Sequence, residues 1–451
     1  MRRQAAALSL ACLLLLLVAA GALALTGDLT QPAGTLGCIS ETGAGPCANG
    51  HGLFVPFSVA VSPDGKSVYA ASYNSRAVVR FVRDATTGAI TQPAGAAGCI
   101  SETGAGPCAD GHGLFGAQSV AVSPDNKSVY VASSNSDAVA RFDRDTTTGE
   151  ITQPAGAGGC ISETGAGPCA DGHGLDGPLS VTVSADGKSV YVASSNSDAV
   201  ARLNRNTTSG AIGQPAGTAG CISDTGAGPC GDGHGLVTPY SVAASADNKS
   251  IYLASNGSNA VARFVRNTTN GAITQPAGTA GCISETGAGP CANGRALSAP
   301  HSVAASPDGK SVYVASFDSS AVTRLDRNAT SGAITQPAGT AGCISDTGAG
   351  PCANGHALVT PYSVTVSPDS RSVYLASNGS NAVARFIRNT TTGALTQPAG
   401  TAGCLSETGA GLCADGRALD SPLSVVVAPN GASVYVAASD SSAVARFDRA
   451  P

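Results

Sequence analysis

The sequence predicts an all-β fold, a single seven-bladed β-propeller of four-stranded antiparallel blades, closed by an N-terminal strand that completes the last blade. Three observations predict it. Fourteen of the 15 cysteines form seven equally spaced pairs, Cys38/Cys47, Cys99/Cys108, Cys160/Cys169, Cys221/Cys230, Cys282/Cys291, Cys343/Cys352 and Cys404/Cys413, each 61 residues after the last. A fixed period of that length marks a repeat architecture. Within each period, short runs alternate β-branched and small residues between turn residues, and no segment carries apolar spacing of 3.6 over a helix length. The chain also starts on a fourth strand and ends on a third.

The second unit shows the elements in order. Ser119 to Ser123 reads SVAVS, Pro124-Asp125-Asn126-Lys127 turns, and Ser128 to Ser133 reads SVYVAS, which makes a hairpin. Ala138 to Arg144 is a third strand, residues 145 to 149 turn, and Glu150 to Gln153 is a short fourth strand stopped by Pro154. Four antiparallel strands per unit make a propeller blade. The blades are expected near residues 57–93, 118–154, 179–215, 240–276, 301–337, 362–398 and 423–449. The final unit ends at Phe447-Asp448-Arg449, with no fourth strand after it, whereas Asp28-Leu29-Thr30-Gln31 matches Ala89-Ile90-Thr91-Gln92. Residues 28–31 should therefore close the ring and hide a pair of sheet edges.

Residues 1–25 read as a signal peptide: Arg2 and Arg3, a Leu/Ala run, then Ala22-Leu23-Ala24 before cleavage. The mature chain, 26–451, is then the propeller, and Cys12 leaves with the signal. Retained, the same segment would be long enough to anchor the chain in a membrane. Loss of Arg2 and Arg3 takes the formal charge from -5 to −7, and only 12% of the chain is charged. No basic patch for nucleic acid is apparent, and the expected surface is neutral and hydroxyl-rich, suited to uncharged or cationic partners.

The segment Val129-Tyr130-Val131-Ala132-Ser133, following Ser123-Pro124-Asp125, resembles the YVTN-type propeller repeat. The blade count resembles the lactonase-like propellers related to 6-phosphogluconolactonase, over essentially all of residues 26–451. The chain departs from that pattern at Ala132-Ser133, where the repeat name reads Thr-Asn, and it adds a cysteine loop. The resemblance implies the propeller fold and, as an alternative activity, a lactonase-like hydrolase with a site at the mouth of the central channel.

Each cysteine loop reads close to Gly98-Cys-Ile-Ser-Glu-Thr-Gly-Ala-Gly-Pro-Cys-Ala-Asp-Gly-His112. Zinc is disfavoured, because the histidine position, His51, His112, His173, His234 and His356, becomes Arg295 and Arg417 in the other units, and arginine cannot replace an imidazole ligand. Even cysteines in a secreted chain point to local disulfides. Glu102 and Asp110 with their equivalents offer oxygen ligands for calcium, but acidic residues beside glycine also serve turns, and no cofactor is expected.

Connections from fourth to first strands and turns from second to third strands lie at the same strand ends, so the stapled loops should crown one face and surround the mouth of the channel. The position just before the first strand varies among units: Phe57, Gln118, Leu179, Tyr240, His301, Tyr362 and Leu423. These seven are the candidate ligand-binding residues at the channel mouth. Pairing of units also shows, since Val237-Thr238-Pro239-Tyr240 returns as Val359-Thr360-Pro361-Tyr362. An enzyme usually breaks repeat symmetry, and the one clear singleton is His301, a weak catalytic candidate. Two sevenfold arginine sets, starting at Arg80 and Arg83, should pair with turn aspartates such as Asp125. Asn206-Thr207-Thr208 and Asn267-Thr268-Thr269 match the glycosylation pattern and equally suit turns.

The expected function is that of a secreted, disulfide-stapled, monomeric propeller that binds or scaffolds through the crowned face. The ligand would be an extracellular glycan or protein, with membrane contact only if residues 1–25 are retained.

Overall fold

The structure, a computed structural model, describes residues 26–451 apart from 349 and 410; the expected signal peptide lies outside the described residues. Seven sheets stand radially around one channel, one per 61-residue unit. In blade 1 the first, innermost strand is Pro56–Val61, the second Ser67–Ser72 and the third Ala77–Arg83, all antiparallel. The second strand is buried along its whole length, so its Ser-Val-Tyr-Ala-Ala-Ser sequence has small or β-branched residues on both faces.

The fourth strand differs from the expected one. It is made in two pieces that both pair with the third strand: in blade 2, Ile151–Thr152 against Asp143 and Arg144, then Cys160–Ser162 against Ala138 to Ala140. Pro154 does stop the first piece, since it has no N–H to give the ladder, but a short 3-10 turn at Gly156–Gly158 returns the chain to the same edge. Ala170–Asp171 then adds a parallel strand outside Cys160–Ser162. The cysteine segment is therefore part of the sheet, and the sheet of the 118–154 unit continues to Asp171.

Blade 7 takes its fourth strand from the start of the described chain. Leu29–Thr30 pairs with Asp448 and Arg449, and Cys38–Ser40 pairs with Ala443 to Ala445, which closes the ring as expected.

The core is divided into wedges between neighbouring blades. In one of them Tyr191, Ala193 and Val200 of blade 3 meet Val242, Leu253 and Phe264 of blade 4. A leucine from each connecting loop, such as Leu114 or Leu236, fills the wedge from above and is fully buried. Its backbone N–H donates to the carboxylate of the preceding cysteine loop, Glu102 for Leu114 and Asp224 for Leu236.

A hydrogen-bonded clasp repeats lower in every seam. The second-strand tyrosine donates its hydroxyl to a glycine carbonyl of the next blade, as Tyr130 does to Gly210 at 2.7 Å, and accepts from an arginine of that blade, Arg205 Nε at 2.8 Å. Arg205 also forms a two-pronged pair with Asp125 at 2.9 Å. Glycine is required at position 210: its φ is +73°, and a Cβ there would stand 2.1 Å from Ser128 Oγ. The same clasp joins the chain ends, where Tyr374 donates to Gly27 and accepts from Arg449.

Candidate functional site

The upper face, where second strands turn into third strands, carries the channel mouth. Here the first strand contains a bulge: Pro56 pairs with Ser72 and Ser58 with Ala71, which leaves Phe57 outside the ladder. The same shift recurs in all seven blades. An unpaired bulge residue is re-aimed out of the sheet. As a result Phe57, Gln118, Leu179, Tyr240, His301, Tyr362 and Leu423 line one cavity with the serines that follow them. Residues that lie far apart in sequence therefore share one ring.

The residue preceding the first strand helps to aim that bulge. It is glycine in blades 2 and 3, but Val55, Thr238, Ala299, Thr360 and Ser421 hold the left-handed conformation with φ between 47° and 60°. Such backbone is uncommon for residues with a Cβ, more so for β-branched ones. Several of these N–H groups are held by the turn of the preceding blade: Thr238 donates to Asp198 at 2.7 Å and Ala299 to Asn259 at 2.7 Å.

Below the variable ring lies an invariant one. Ser58, Ser119, Ser180, Ser241, Ser302, Ser363 and Ser424 each accept, on Oγ, the valine N–H of the next blade at 3.1 to 3.3 Å. These bonds close a circle around the channel and leave each hydroxyl proton to donate elsewhere. The serines were outside the sequence-derived site; their signal was invariance beside a variable neighbour.

The ring is chemically lopsided. His301 stacks on Tyr240 at 4.4 Å with 8° between planes, meets Tyr362 edge-on at 4.5 Å, and is backed by Phe317 at 4.6 Å. Phe57 continues the arc toward Tyr362 at 6.5 Å and is backed by Tyr73 at 5.4 Å. Gln118 stands opposite in blade 2 and donates to Ser134 at 3.1 Å. Phe317 and Tyr73 were also missed; they occupy a turn position that is serine or asparagine in the other units.

Burial sets the protonation states. It pushes the His301 imidazole down to about 4, so the ring is neutral at physiological pH, and its Nδ1 is buried without a partner. Burial, and then the neighbouring Tyr240, push the Tyr362 hydroxyl up to about 12. Among the described residues, no carboxylate, lysine or arginine lines the cavity. Its volume is about 110 Å³, below the roughly 300–1,000 Å³ of pockets that enclose drug-sized ligands.

All seven expected cysteine pairs are disulfide-bonded: Cys38–Cys47, Cys99–Cys108, Cys160–Cys169, Cys221–Cys230, Cys282–Cys291, Cys343–Cys352 and Cys404–Cys413, with Cα separations of 4.7 or 4.8 Å. Their place corrects one expectation, that the staples surround the mouth. The first cysteine of each pair opens the second piece of the fourth strand, as Cys38, Cys99 and Cys160 do, and is fully buried there. The second, at Cys47, Cys108, Cys169, Cys230, Cys291, Cys352 and Cys413, directly precedes the parallel strand at the outer edge of the sheet. The staples therefore stand at the perimeter of the upper half, three strands away from the innermost strand that lines the channel. Of these outer cysteines Cys108 and Cys169 are half-buried, whereas Cys47, Cys230, Cys291, Cys352 and Cys413 are buried.

The loop histidines lie at the perimeter too: His112 is clamped through its backbone by Gln153 at 2.8 Å, and Arg295, at the same position, donates to the Pro337 carbonyl. Among the described residues no three His, Cys, Asp or Glu side chains gather into a metal-binding group.

The two arginine sets separate. In the set of Arg83, six members pair with turn aspartates of the preceding blade, and Arg83 itself meets Asn430. The set of Arg80 donates to turn and loop carbonyls, as Arg202 does to Ala219 at 3.2 Å and to Asn270, and four of its members, Arg141, Arg324, Arg385 and Arg446, also pair with Asp143, Asp326, Asp28 and Asp448. Asn206 and Asn267 accept N–H bonds from the residues two and three further on, which is turn chemistry.

No protein-family model matches the chain, and no curated protein does. Solved structures match in fold. Hydrazine synthase of Kuenenia stuttgartiensis aligns with a TM-score of 0.53 at 18% identity, over 87% of this chain and 95% of that chain. A candidate 6-phosphogluconolactonase from Bacteroides uniformis aligns with a TM-score of 0.48 at 19% identity, over 76% of this chain and 83% of that one. Another from Bacteroides fragilis gives 0.49 at 18%, over 78% and 83%. At 18% identity, what this chain shares with the hydrazine synthase structure is the fold alone.

Proposed function

We propose that the chain is a secreted binding module whose recognition site is the mouth of the central channel on the upper face. Seven disulfides belong to an oxidising, extracytoplasmic setting. One observation carries the reading: in a chain that repeats nearly everything, the seven residues brought to one ring differ, and four of them form an uncharged aromatic arc. Aromatic faces above hydroxyl groups suit the apolar face and hydroxyls of a glycan or an exposed peptide segment. The small cavity favours docking onto the mouth over enclosure of a substrate.

The test is binding to extracellular glycans and cell-wall polymers, measured with wild type and Tyr240→Ala. Removing the ring stacked on His301 should weaken binding at least tenfold, an effect of about 1.4 kcal/mol, at the upper end for one aromatic pair. Absence of binding to any extracellular polymer would sink the reading.

The second reading is a lactonase-like hydrolase. It draws on the unpartnered Nδ1 of His301 at the mouth. A lactone-hydrolysis screen with wild type and His301→Ala separates the two, since activity lost in the variant would favour the hydrolase.

A further inference from the structure

Lysines 61 residues apart look isolated in the sequence. In the fold all five, Lys66, Lys127, Lys188, Lys249 and Lys310, occupy one place in the turn between first and second strands, and Arg371 takes that place in blade 6. All six are exposed. They form a cationic ring on the lower face, opposite the mouth.

The whole molecule is polarised the same way. Assigned by position along the strands, twenty cationic residues and thirteen carboxylates of residues 26–451 belong to the lower half, a net of +7. Three arginines and seventeen carboxylates belong to the upper half, a net of −14.

The lower ring is strongest on one side. Its turn aspartates are engaged by buried arginines, as Asp186 is by Arg266 and Asp247 by Arg327. In the turns between third and fourth strands, blades 1 and 2 carry Asp84, Asp145 and the adjoining Glu150, whereas blades 3 to 6 carry Asn206, Asn267, Asn328 and Asn389. Lys188, Lys249, Lys310 and Arg371 therefore make an arc without exposed acidic neighbours in those turns.

We propose that the lower face seats the propeller on an anionic lipid surface, with the channel mouth turned away from it. A flat ring of cations suits a sheet of negative charge better than a single polyanionic strand. Repulsion of the −14 half by the same surface sets the orientation. Attraction reaches only about a Debye length, so contact is reversible and salt-sensitive.

The test is co-sedimentation of the purified chain with vesicles of phosphatidylcholine alone and of phosphatidylcholine with phosphatidylglycerol. Preferential binding to the anionic vesicles is expected, abolished at about 0.5 M salt. Each cation removed should weaken binding about fivefold, so a variant with all five lysines changed to glutamine loses it. Those positions are exposed, and an unchanged melting temperature confirms that the variant folds. Asp110→Asn with Asp171→Asn and Asp232→Asn, on the opposite half, should bind at least as well as wild type. Equal partition onto both vesicle types, wild-type binding by the five-lysine variant, or loss of binding in the aspartate variant would overturn the proposal. Binding to soluble heparin without binding to anionic vesicles would overturn it as well.

Discussion

The lower seams and the upper mouth ring are built from the same seven repeats, yet they differ in what the repeats carry. Every seam holds a tyrosine that bridges a glycine carbonyl and an arginine of the next blade, from Tyr69 with Gly149 and Arg144 to Tyr435 with Gly88 and Arg83. The mouth has one position per blade and five residue types among seven. The seam is a closed set of buried polar groups, each of which needs its partners, so a change in one member leaves others unsatisfied. The mouth residue projects from a bulge, outside the ladder, and can change without breaking a backbone bond. Variation has gathered where the fold tolerates it, and that is where recognition can differ from blade to blade.

The sharpest way to break this contrast is at the seam that joins the chain ends. Deleting residues 26–32 removes the Tyr374–Gly27 bond, the Arg385–Asp28 pair and the buried Leu29 together. It should cost about 5 kcal/mol or more, read as a lower melting temperature. An unchanged melt would mean that closure contributes nothing.

An internal seam comes next. Arg205→Leu takes from Asp125 its cation and from the Tyr130 hydroxyl its Nε donor, and should destabilise by roughly 3 kcal/mol in urea unfolding. The pair is mutual in its electrostatics. Burial alone would raise the Asp125 carboxyl, but hydrogen bonds from Arg205 and Ser123 hold it below its ordinary range. Gln118→Ala, at the mouth in the same blade as Ser128 and Tyr130, should stay within about 0.5 kcal/mol of wild type. A comparable cost at both sites would erase the distinction drawn between them.

The mouth has one titrating exception. His301 has its folded value pushed to about 4 from an ordinary 6.5. Above pH 6.5 it is neutral in both states and its stability contribution is whole. As pH falls from 6.5 to 4 the unfolded chain takes up the proton first and stability declines, by up to about 3 kcal/mol; below 4 the loss is complete. His301→Phe should remove that part of the acid dependence, as pH-dependent urea unfolding would show.

A loss somewhat below that of Arg205→Leu should come from the perimeter. Replacing Cys99 and Cys108 together with serine opens one ten-residue loop, worth at most about 2.7 kcal/mol by loop entropy. The upper face should keep its ligand, because the staple stands at the outermost strands. Loss of mouth binding in that variant would show that the perimeter and the mouth are coupled.

Much of the fold was legible because it depends on spacing along the chain. Pro124-Asp125 read as a turn, Ser128 to Ser133 as a strand, and Asp28 to Gln31 as the missing fourth strand. The return of the chain after Pro154 was not legible, since Cys160-Ile161-Ser162 is too short to announce a strand and gains its ladders from Ala138 to Ala140 and from Ala170 to Asp171. For the candidate site, variation in register picked out all seven ring positions. It did not show Phe317 and Tyr73 behind them, because their contacts cross from the turn of one strand pair to the bulge of another.

The sequence by itself determined the repeat number, the strand alternation, the pairing of cysteines within each unit and the matching of the two chain ends. Each of these is a local pattern or a fixed interval. Only the tertiary structure decided that the disulfides stand at the perimeter, that seven serine hydroxyls close a circle, that His301 lies neutral among aromatic rings, and that five lysines and Arg371 share one face. Each of those is a ring property. Closing seven units around an axis brings equivalent residues of distant blades side by side, and no interval along the chain states on which face or at what radius they will meet.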